Sequence, residues 1–408
     1  MKPGNRRGPA RFLEPETFSR VEAVVSAEAL SANYDAIRAR VPGLSLLPMI
    51  KANAYGHGGA WAARVLAQKP DLYAFGVATL EEGAEAREAL GPRGRRTRIL
   101  VFAGVAPWSE EKGQYCEAHA LAPVISTDED WRAFERGGWP ARLSYELKFN
   151  TGMNRLGLST RLAPQLARSL AHRPGEEQPS GILTHLAVGE NPDARLSRDQ
   201  LERFTAIRSE LAPVFPAAHF HFANSAGIWN ARHWRLSELS DVVRPGLSLY
   251  GVPPWPGAPE RGLAPVLTLR ALVVDVHRLK SGDTVGYGAR FTAPKAETTH
   301  VAMLALGYGD GLHRRLSGGL AGDGAPGGFA WLGGRERRFL GAISMDLAAI
   351  ECDAGTKPGE WAELLGPRVD HWAQAKAAGT IPYELLTSIA PRVKRLLTTS
   401  GGGPRGDF

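Results

Sequence analysis

Leu44-Ser45-Leu46-Leu47-Pro48-Met49-Ile50-Lys51-Ala52-Asn53-Ala54-Tyr55-Gly56-His57-Gly58 is an apolar run that ends on a lysine and passes into a glycine-containing turn. Residues 44–50 have the length and apolarity of a buried strand. An open sheet built for dinucleotides would carry a G-x-G-x-x-G fingerprint in the turn after its first strand, and none is present. Seven further strand candidates follow, at Leu72–Val77, Ile99–Phe102, Leu121–Ile125, Leu143–Phe149, Gly181–Leu186, Ala217–Phe222 and Val242–Tyr250. Eight parallel strands alternating with amphipathic segments is the count that closes a (β/α)8 barrel of the TIM type, although periodicity alone also fits an open doubly wound sheet.

Several of the intervening segments carry helix-start signals. Thr79 with Glu82 and Ser197 with Gln200 have capping-box spacing, in which the two side chains satisfy orphan N–H groups of a first turn. Thr127 precedes Asp128, Glu129 and Asp130, whose charges suit the positive end of a helix dipole.

Past Gly262 the texture changes to longer β-rich runs, at Val266–Leu279, His300–Leu306, Phe339–Ile350 and Trp361–Leu365. The expected organisation is a flexible extension over 1–17, a barrel over 18–263, a mainly-β domain over 264–395 and a disordered tail over 396–408. Gly318–Gly328 reads as a Gly-rich insertion.

The chain has 408 residues, 43% of them hydrophobic and 22% charged, which suits a globular protein with a sizeable core. The net charge of +7 arises from basic residues spread along the chain among 42 acidic ones, so no nucleic-acid surface is expected. Cys116 and Cys352 lie far apart and read as buried thiols rather than a disulfide framework or metal site. No run of signal-peptide or membrane-span length is found, which points to a cytoplasmic protein without a membrane partner.

In a barrel, the end of a strand is the catalytic face, and Lys51 stands there. A primary amine so placed can form a Schiff base with a carbonyl, and partial burial would lower its pKa from about 10.4. A solvent-exposed lysine before a loop is the other reading of this segment.

The segment resembles the pyridoxal 5′-phosphate (PLP) lysine motif of the alanine racemase family, and further matches follow in order. They are Glu146-Leu147-Lys148-Phe149-Asn150-Thr151-Gly152-Met153-Asn154-Arg155-Leu156-Gly157, Thr184-His185, His221-Phe222-Ala223-Asn224-Ser225 and Val243-Arg244-Pro245-Gly246-Leu247-Ser248-Leu249-Tyr250-Gly251. Val285-Gly286-Tyr287-Gly288, Leu306-Gly307-Tyr308-Gly309-Asp310-Gly311 and Ser344-Met345-Asp346 complete the series, which spans roughly residues 20 to 395.

The resemblance implies a PLP barrel followed by a β domain, a homodimer with shared active sites, and interconversion of L- and D-alanine that supplies D-alanine for peptidoglycan. It assigns the two bases to Lys51 and to a partner-supplied Tyr287. Keeping such a tyrosine as phenolate at pH 7 costs roughly 4 kcal/mol, so nearby positive charge has to offset it. Tyr55, Asn224, Ser225 and the backbone at Gly246 and Leu247 are assigned to the cofactor phosphate, with a simple helix cap as the other role of Ser225. Arg244 is assigned to the pyridine nitrogen, and His185 to a hydrogen-bonded chain with it. Arg155 is matched to the substrate carboxylate and the cofactor phenolic oxygen. Tyr308, Met345 and Asp346 are matched to the substrate end. Lys148 matches a position that is carbamylated in some members, a direct cationic contact being the alternative.

Some family members place a C-terminal tyrosine on the phosphate, but Ser388-Ile389-Ala390-Pro391-Arg392-Val393 has none. Ser344 stands where many members have cysteine, and the stretch after His185 is looser than the usual pattern. Rival classes are a PLP-barrel amino-acid decarboxylase, a non-enzymatic PLP-binding protein and, more remotely, a zinc enzyme using His219 and His221.

Overall fold

The computed structural model describes residues 19–103, 105–136, 143–259, 262–295, 298–318 and 327–398. They group into two compact units, one formed by residues 25–267, 370–389 and 397–398, the other by 19–24, 268–369 and 390–396.

The first unit is a closed parallel barrel. Six strands, Phe75–Val77, Ile99–Val101, Ala122–Ile125, Glu146–Asn150, Gly181–Leu183 and His219–His221, pair in parallel in that order. Ser45–Leu46 pairs in parallel with Val242–Val243. Leu46 donates to Asp71 and accepts from Tyr73, both at 2.8 Å, on one side of the gap. Asp241 N donates to Phe220 O at 2.7 Å and Arg244 N to Ala223 O at 2.9 Å on the other, so the eight strands close on themselves. The strands are short because proline and glycine interrupt the longer apolar runs. Pro48 interrupts the regular ladder of the first, although Met49 N and Ile50 N still donate to Pro245 O and Gly76 O, and Pro245-Gly246 turns the last into the 3-10 segment Leu247–Tyr250.

Several helix starts follow from local chemistry. Thr79 and Glu82 form the expected capping box before Leu80–Leu90, and Thr127 Oγ1 accepts from Asp130 N at 3.0 Å. Ser197 and Gln200 do not form one. Their helix begins earlier, at Arg195–Leu211, and both side chains turn inward. Ser197 donates to Val188 O and Asn191 O, while Gln200 donates to His185 O at 2.8 Å and accepts from Ala187 N at 2.9 Å. A hydrogen bond to a loop backbone here outcompetes a cap, and the loop after His185 is pinned by it.

The second unit is mainly β. Its sheet runs Arg335–Arg338, Phe329–Leu332, Trp361–Leu365, Leu267–Leu279, Val21–Ser26, Lys394–Thr398, with Thr299–Leu304 and Ala348–Glu351 extending from Leu267–Leu279. Leu267, Leu269, Ala271 and Val273 are buried while the residues between them are half-buried, the alternation expected of one core-facing sheet side. The apolar run 339–350 is not one strand, since Leu340–Leu347 leaves the ladder before Ala348–Glu351 re-enters it.

The linear division expected at residues 263 and 264 is thus an oversimplification. Residues 370–389 group with the barrel, where Trp372 Nε1 donates to Pro253 O at 2.9 Å. The expected tail also begins too early, because residues 396–398 belong to the strand Lys394–Thr398, in which Leu397 is buried. The expected extension over 1–17, residues 319–326 of the Gly-rich insertion, and 399–408 lie outside the described residues. Cys116 and Cys352 are free and buried. No described helix is long and apolar enough to cross a membrane.

Candidate active site

At the C-terminal end of the strands lies a cavity of about 660 Å3, the size range of small-molecule sites. Lys51, Tyr55, Lys148, Arg155, His185, Asn224, Ser225, Arg244, Gly246 and Leu247 all line it. Tyr287, Tyr308, Met345 and Asp346 do not, since they belong to the other unit.

Lys51 opens a turn of unusual backbone. Ala52, Asn53, Ala54 and Tyr55 have φ of 51°, 51°, 53° and 54°, four consecutive non-glycine residues in the left-handed region. Such a conformation costs about 1–2 kcal/mol per residue, so it persists only where surrounding contacts over-determine it. Those contacts are present. Ala52 N donates to Glu82 Oε1 at 2.6 Å, Gly59 N to Asn53 Oδ1 at 2.7 Å and Gly58 N to Asn53 O at 2.9 Å. The His57 ring stacks on Tyr250, centroids 4.4 Å apart, and Tyr250 Oη donates to Met49 O at 2.8 Å. Gly56 has φ of 84°, and a Cβ there would sit 2.1 Å from Leu386 O, so only glycine fits.

The cavity is cationic. Burial and the positive charge of Arg155 hold Lys51 below its ordinary pKa, against the opposing pull of Glu82. Burial, Arg155, Arg244 and Lys51 bring Lys148 down to about 8. His185 lies well below its usual range through burial and the surrounding cations, Arg244 foremost, and is therefore neutral. Neither Lys148 nor Arg155 has a hydrogen-bond or ion-pair partner among the described residues.

Arg244 is buried, with burial bringing it down to about 10, still protonated at neutral pH. Its Nη1 meets His221 Nδ1 at 2.7 Å, and its Nη2 donates to Thr184 O at 2.6 Å and Phe222 O at 3.0 Å, with His185 Nδ1 at 3.3 Å. Its Nε has no hydrogen-bond partner among the described residues, so this cavity-lining guanidinium keeps an uncommitted donor there.

At the other end, Ser225 Oγ accepts from Gly246 N at 3.0 Å and Ser248 N at 3.3 Å, so its own proton is free to point at an anion. The helix cap is Asn224, whose side chain accepts from Gly227 N at 3.0 Å, and not Ser225, which is the first residue inside the helix. A Cβ on Gly246 would stand 2.4 Å from Tyr55 Oη, so glycine keeps this corner open. Tyr383 and Thr387 also line the cavity. Sequence reading missed Tyr383, although its apolar neighbours and lone aromatic ring on a short helix left little signal.

The other unit gathers its matched residues on one surface. Tyr287, Tyr308 and Met345 are 75%, 44% and 53% exposed. Tyr308 N donates to Ser344 O at 3.0 Å and Gly309 N to Met345 O at 2.9 Å, so these loops are tied together. Arg392 pairs with Asp310 at 2.7 Å and with Asp346 at 2.9 Å beneath them.

A closed parallel barrel with a desolvated lysine and three further basic side chains at its strand ends has the chemistry to hold an anionic small molecule at that face. Family models for the alanine racemase N-terminal and C-terminal domains match residues 25–254 and 266–397. The alanine racemase of Rhizobium meliloti is 35% identical over 393 residues, covering 91% of this chain and 95% of that protein. That of Coxiella burnetii is 31% identical over 386 residues, covering 92% and 98%. The biosynthetic alanine racemase from Pseudomonas aeruginosa superposes with a TM-score of 0.80 at 29% identity, over 94% of this chain and 100% of that one. The alanine racemase from Bartonella henselae, solved with covalently bound pyridoxal phosphate, gives 0.78 at 27% identity, over 93% and 100%. The chain belongs to the alanine racemase family.

Proposed function

We propose that this chain binds PLP on Lys51 and interconverts L- and D-alanine, acting as a homodimer in which each site takes Tyr287 of the partner subunit as its second base. The observation that carries the reading is the cavity itself. A lysine with a lowered pKa, a hydroxyl whose proton is free to donate, and an uncommitted arginine N–H are arranged around it. Such a donor set fits a group with a carbonyl, a phosphate and a ring nitrogen. PLP, when bound, withdraws electron density from the substrate α-carbon and so makes its proton removable.

The chain's residues then have separable tasks. Ser225, Tyr55, Asn224 and the backbone at Gly246 and Leu247 hold the phosphate. Arg244 would hold the ring nitrogen, hydrogen-bonding without surrendering a proton, because guanidinium stays charged. Arg155 holds the substrate carboxylate, where a planar two-pronged donor suits two oxygens. Lys51 takes or returns the α-proton on one face and the partner's Tyr287 does so on the other. His185, neutral beside Arg244, connects that tyrosine to positive charge. The partner's Tyr308, Met345 and Asp346 close the substrate end. Lys148, at about 8, has a neutral fraction at physiological pH that can take up CO2 as a carbamate, or else acts as a direct cation.

Exposure supports the dimer. Three large side chains standing out from one surface, Tyr287 foremost, are what a covered face looks like when its cover is absent. The D-alanine formed would serve peptidoglycan synthesis in the cytoplasm.

The test is incubation of the purified, PLP-loaded protein with L-alanine, L-serine, L-lysine and L-arginine separately, reading the enantiomer ratio. Alanine alone should approach a 1:1 mixture. Release of CO2 with no D-isomer would replace racemisation by decarboxylation.

A further inference from the structure

Below the cavity, inside the barrel, sits a polar layer whose Glu146, His221, Tyr73 and Arg98 have no part in the proposed chemistry. Glu146 and Lys148 alternate on one strand and so share its inner face. Glu146 is fully buried, as is His221, and Arg244 is 3% exposed. Glu146 Oε2 meets His221 Nε2 at 2.9 Å, and Arg244 Nη1 meets His221 Nδ1 at 2.7 Å. Tyr73 Oη donates to Glu146 Oε1 at 2.8 Å, with Arg98 Nη2 at 3.6 Å from the same oxygen.

Two general expectations and one observation show this layer to be built. Barrel interiors are ordinarily filled with branched apolar side chains. A carboxylate there costs desolvation energy that an apolar residue would avoid, so its presence is poor evidence of a stabilising role. The neighbouring strand also makes room for it, since a Cβ on Gly181 would lie 2.6 Å from the Glu146 carboxyl carbon.

The hydrogen-bond logic has one consistent solution. Arg244 brings only N–H groups, so His221 Nδ1 has to be the bare acceptor. His221 Nε2 then carries the proton and donates it to Glu146. Burial resists charge on Glu146, yet His221, Arg98 and the Tyr73 hydroxyl together hold its carboxyl below the ordinary range, while burial lowers His221 despite the pull of Glu146. Carboxylate and neutral imidazole are the matching states.

We propose that Glu146 is a positioning residue, which accepts the Nε2 proton of His221 and so holds the tautomer whose bare Nδ1 commits Arg244 Nη1, leaving Arg244 Nε as a donor presented to the cavity. The carboxylate also gives the buried guanidinium a counter-charge within the barrel. Without it, His221 is free to place a proton on Nδ1, where it faces an N–H of Arg244 and pushes the guanidinium out of register. The inference rests on Arg244 serving the cofactor ring, as proposed above.

The experiment has two arms. In cofactor-free wild-type protein labelled with 15N-histidine, His221 should show the neutral Nε2–H pattern at pH 7, assigned by its loss in His221→Asn. An Nδ1–H or doubly protonated His221 in the wild-type protein overturns the proposal. In the second arm, Glu146→Gln should lose that single tautomer. When loaded with PLP, it should lower kcat roughly tenfold, the order expected for a partner one shell behind a site ligand. The alanine KM should stay within about twofold, because Arg155 is untouched. A folded Glu146→Gln that keeps both the wild-type tautomer and wild-type kcat overturns the proposal. If wild-type enzyme fails to racemise alanine while His221 shows the expected tautomer, the functional reading falls and the hydrogen-bond assignment stands.

Discussion

Lys51 and Tyr287 are proposed as opposite numbers in one reaction, yet their surroundings could hardly differ more. Lys51 is desolvated, pressed by neighbouring cations and held on four left-handed residues that glutamate, asparagine and stacked rings keep in place. Tyr287 is 75% exposed on a 3-10 turn between Gly286 and Gly288, with no hydrogen-bond partner among the described residues. A buried group has its reactivity set by its own chain. An exposed group keeps the properties that water gives it, until something covers it. If Tyr287 is a base, its cover has to bring positive charge, because burial alone disfavours a phenolate.

The largest expected effect is on the buried side of this contrast. Lys51→Ala should retain no cofactor label after borohydride reduction and peptide mapping, and should lose more than about 10^4-fold in racemisation, since it removes anchor and base together. Labelling of a different lysine in the wild type would break the comparison at its root.

Tyr287→Phe comes next, with a loss of about 10^2- to 10^4-fold, the range for one general acid–base group, and PLP content unchanged. The sharper version mixes this variant with Lys51→Ala under subunit exchange. If each site draws on two subunits, a randomly formed heterodimer has one intact site of two, and activity should return to about a quarter of wild type. No recovery in a mixture shown to contain heterodimers would mean that Tyr287 does not act across an interface.

Much of this arrangement was readable in the sequence, and the failures are physical. Eight apolar runs marked the barrel strands because a strand buried on both faces reads as a continuous apolar run. The last run departs most from its expected extent, since Pro245-Gly246 ends the ladder without breaking the apolarity and Val242–Tyr250 contains a two-residue strand followed by a turn. Ser197 and Gln200 have the spacing of a cap, but spacing cannot say that a loop needs their hydrogen bonds more. Ten matched site residues came together in one cavity because they lie near the C-terminal ends of five barrel strands and in the turns that follow them. Glu82 and Glu146 were passed over. Glu82 was legible as a cap, and its second bond, to Ala52 N, depends on a contact 30 residues away. Glu146 carried a signal in its i, i+2 relation to Lys148, which places both on one strand face. That His221 waits opposite is a fact of barrel closure.

A smaller effect tests the interior by stability alone. Lys148 is 6% exposed and titrates at about 8 in the folded protein, against about 10.4 when unfolded. Below pH 8 both states hold the proton, and the folded state bears the full penalty of a buried charge. Between pH 8 and about 10.4 the folded state releases its proton first, the unfolded state binds more protons, and stability rises with pH. Above both values the difference is gone. Lys148→Met should therefore stabilise the cofactor-free protein by on the order of 2–3 kcal/mol at pH 7 in CO2-depleted buffer, and by progressively less toward pH 10, as read from urea unfolding. Added bicarbonate should stabilise wild type and leave Lys148→Met unmoved if Lys148 takes up CO2, because a carbamate answers Arg155 where an ammonium opposes it. Parallel pH curves for wild type and Lys148→Met would show that Lys148 does not bear a buried charge, and the cationic cavity from which Lys51 draws its reactivity would lose one of its four members.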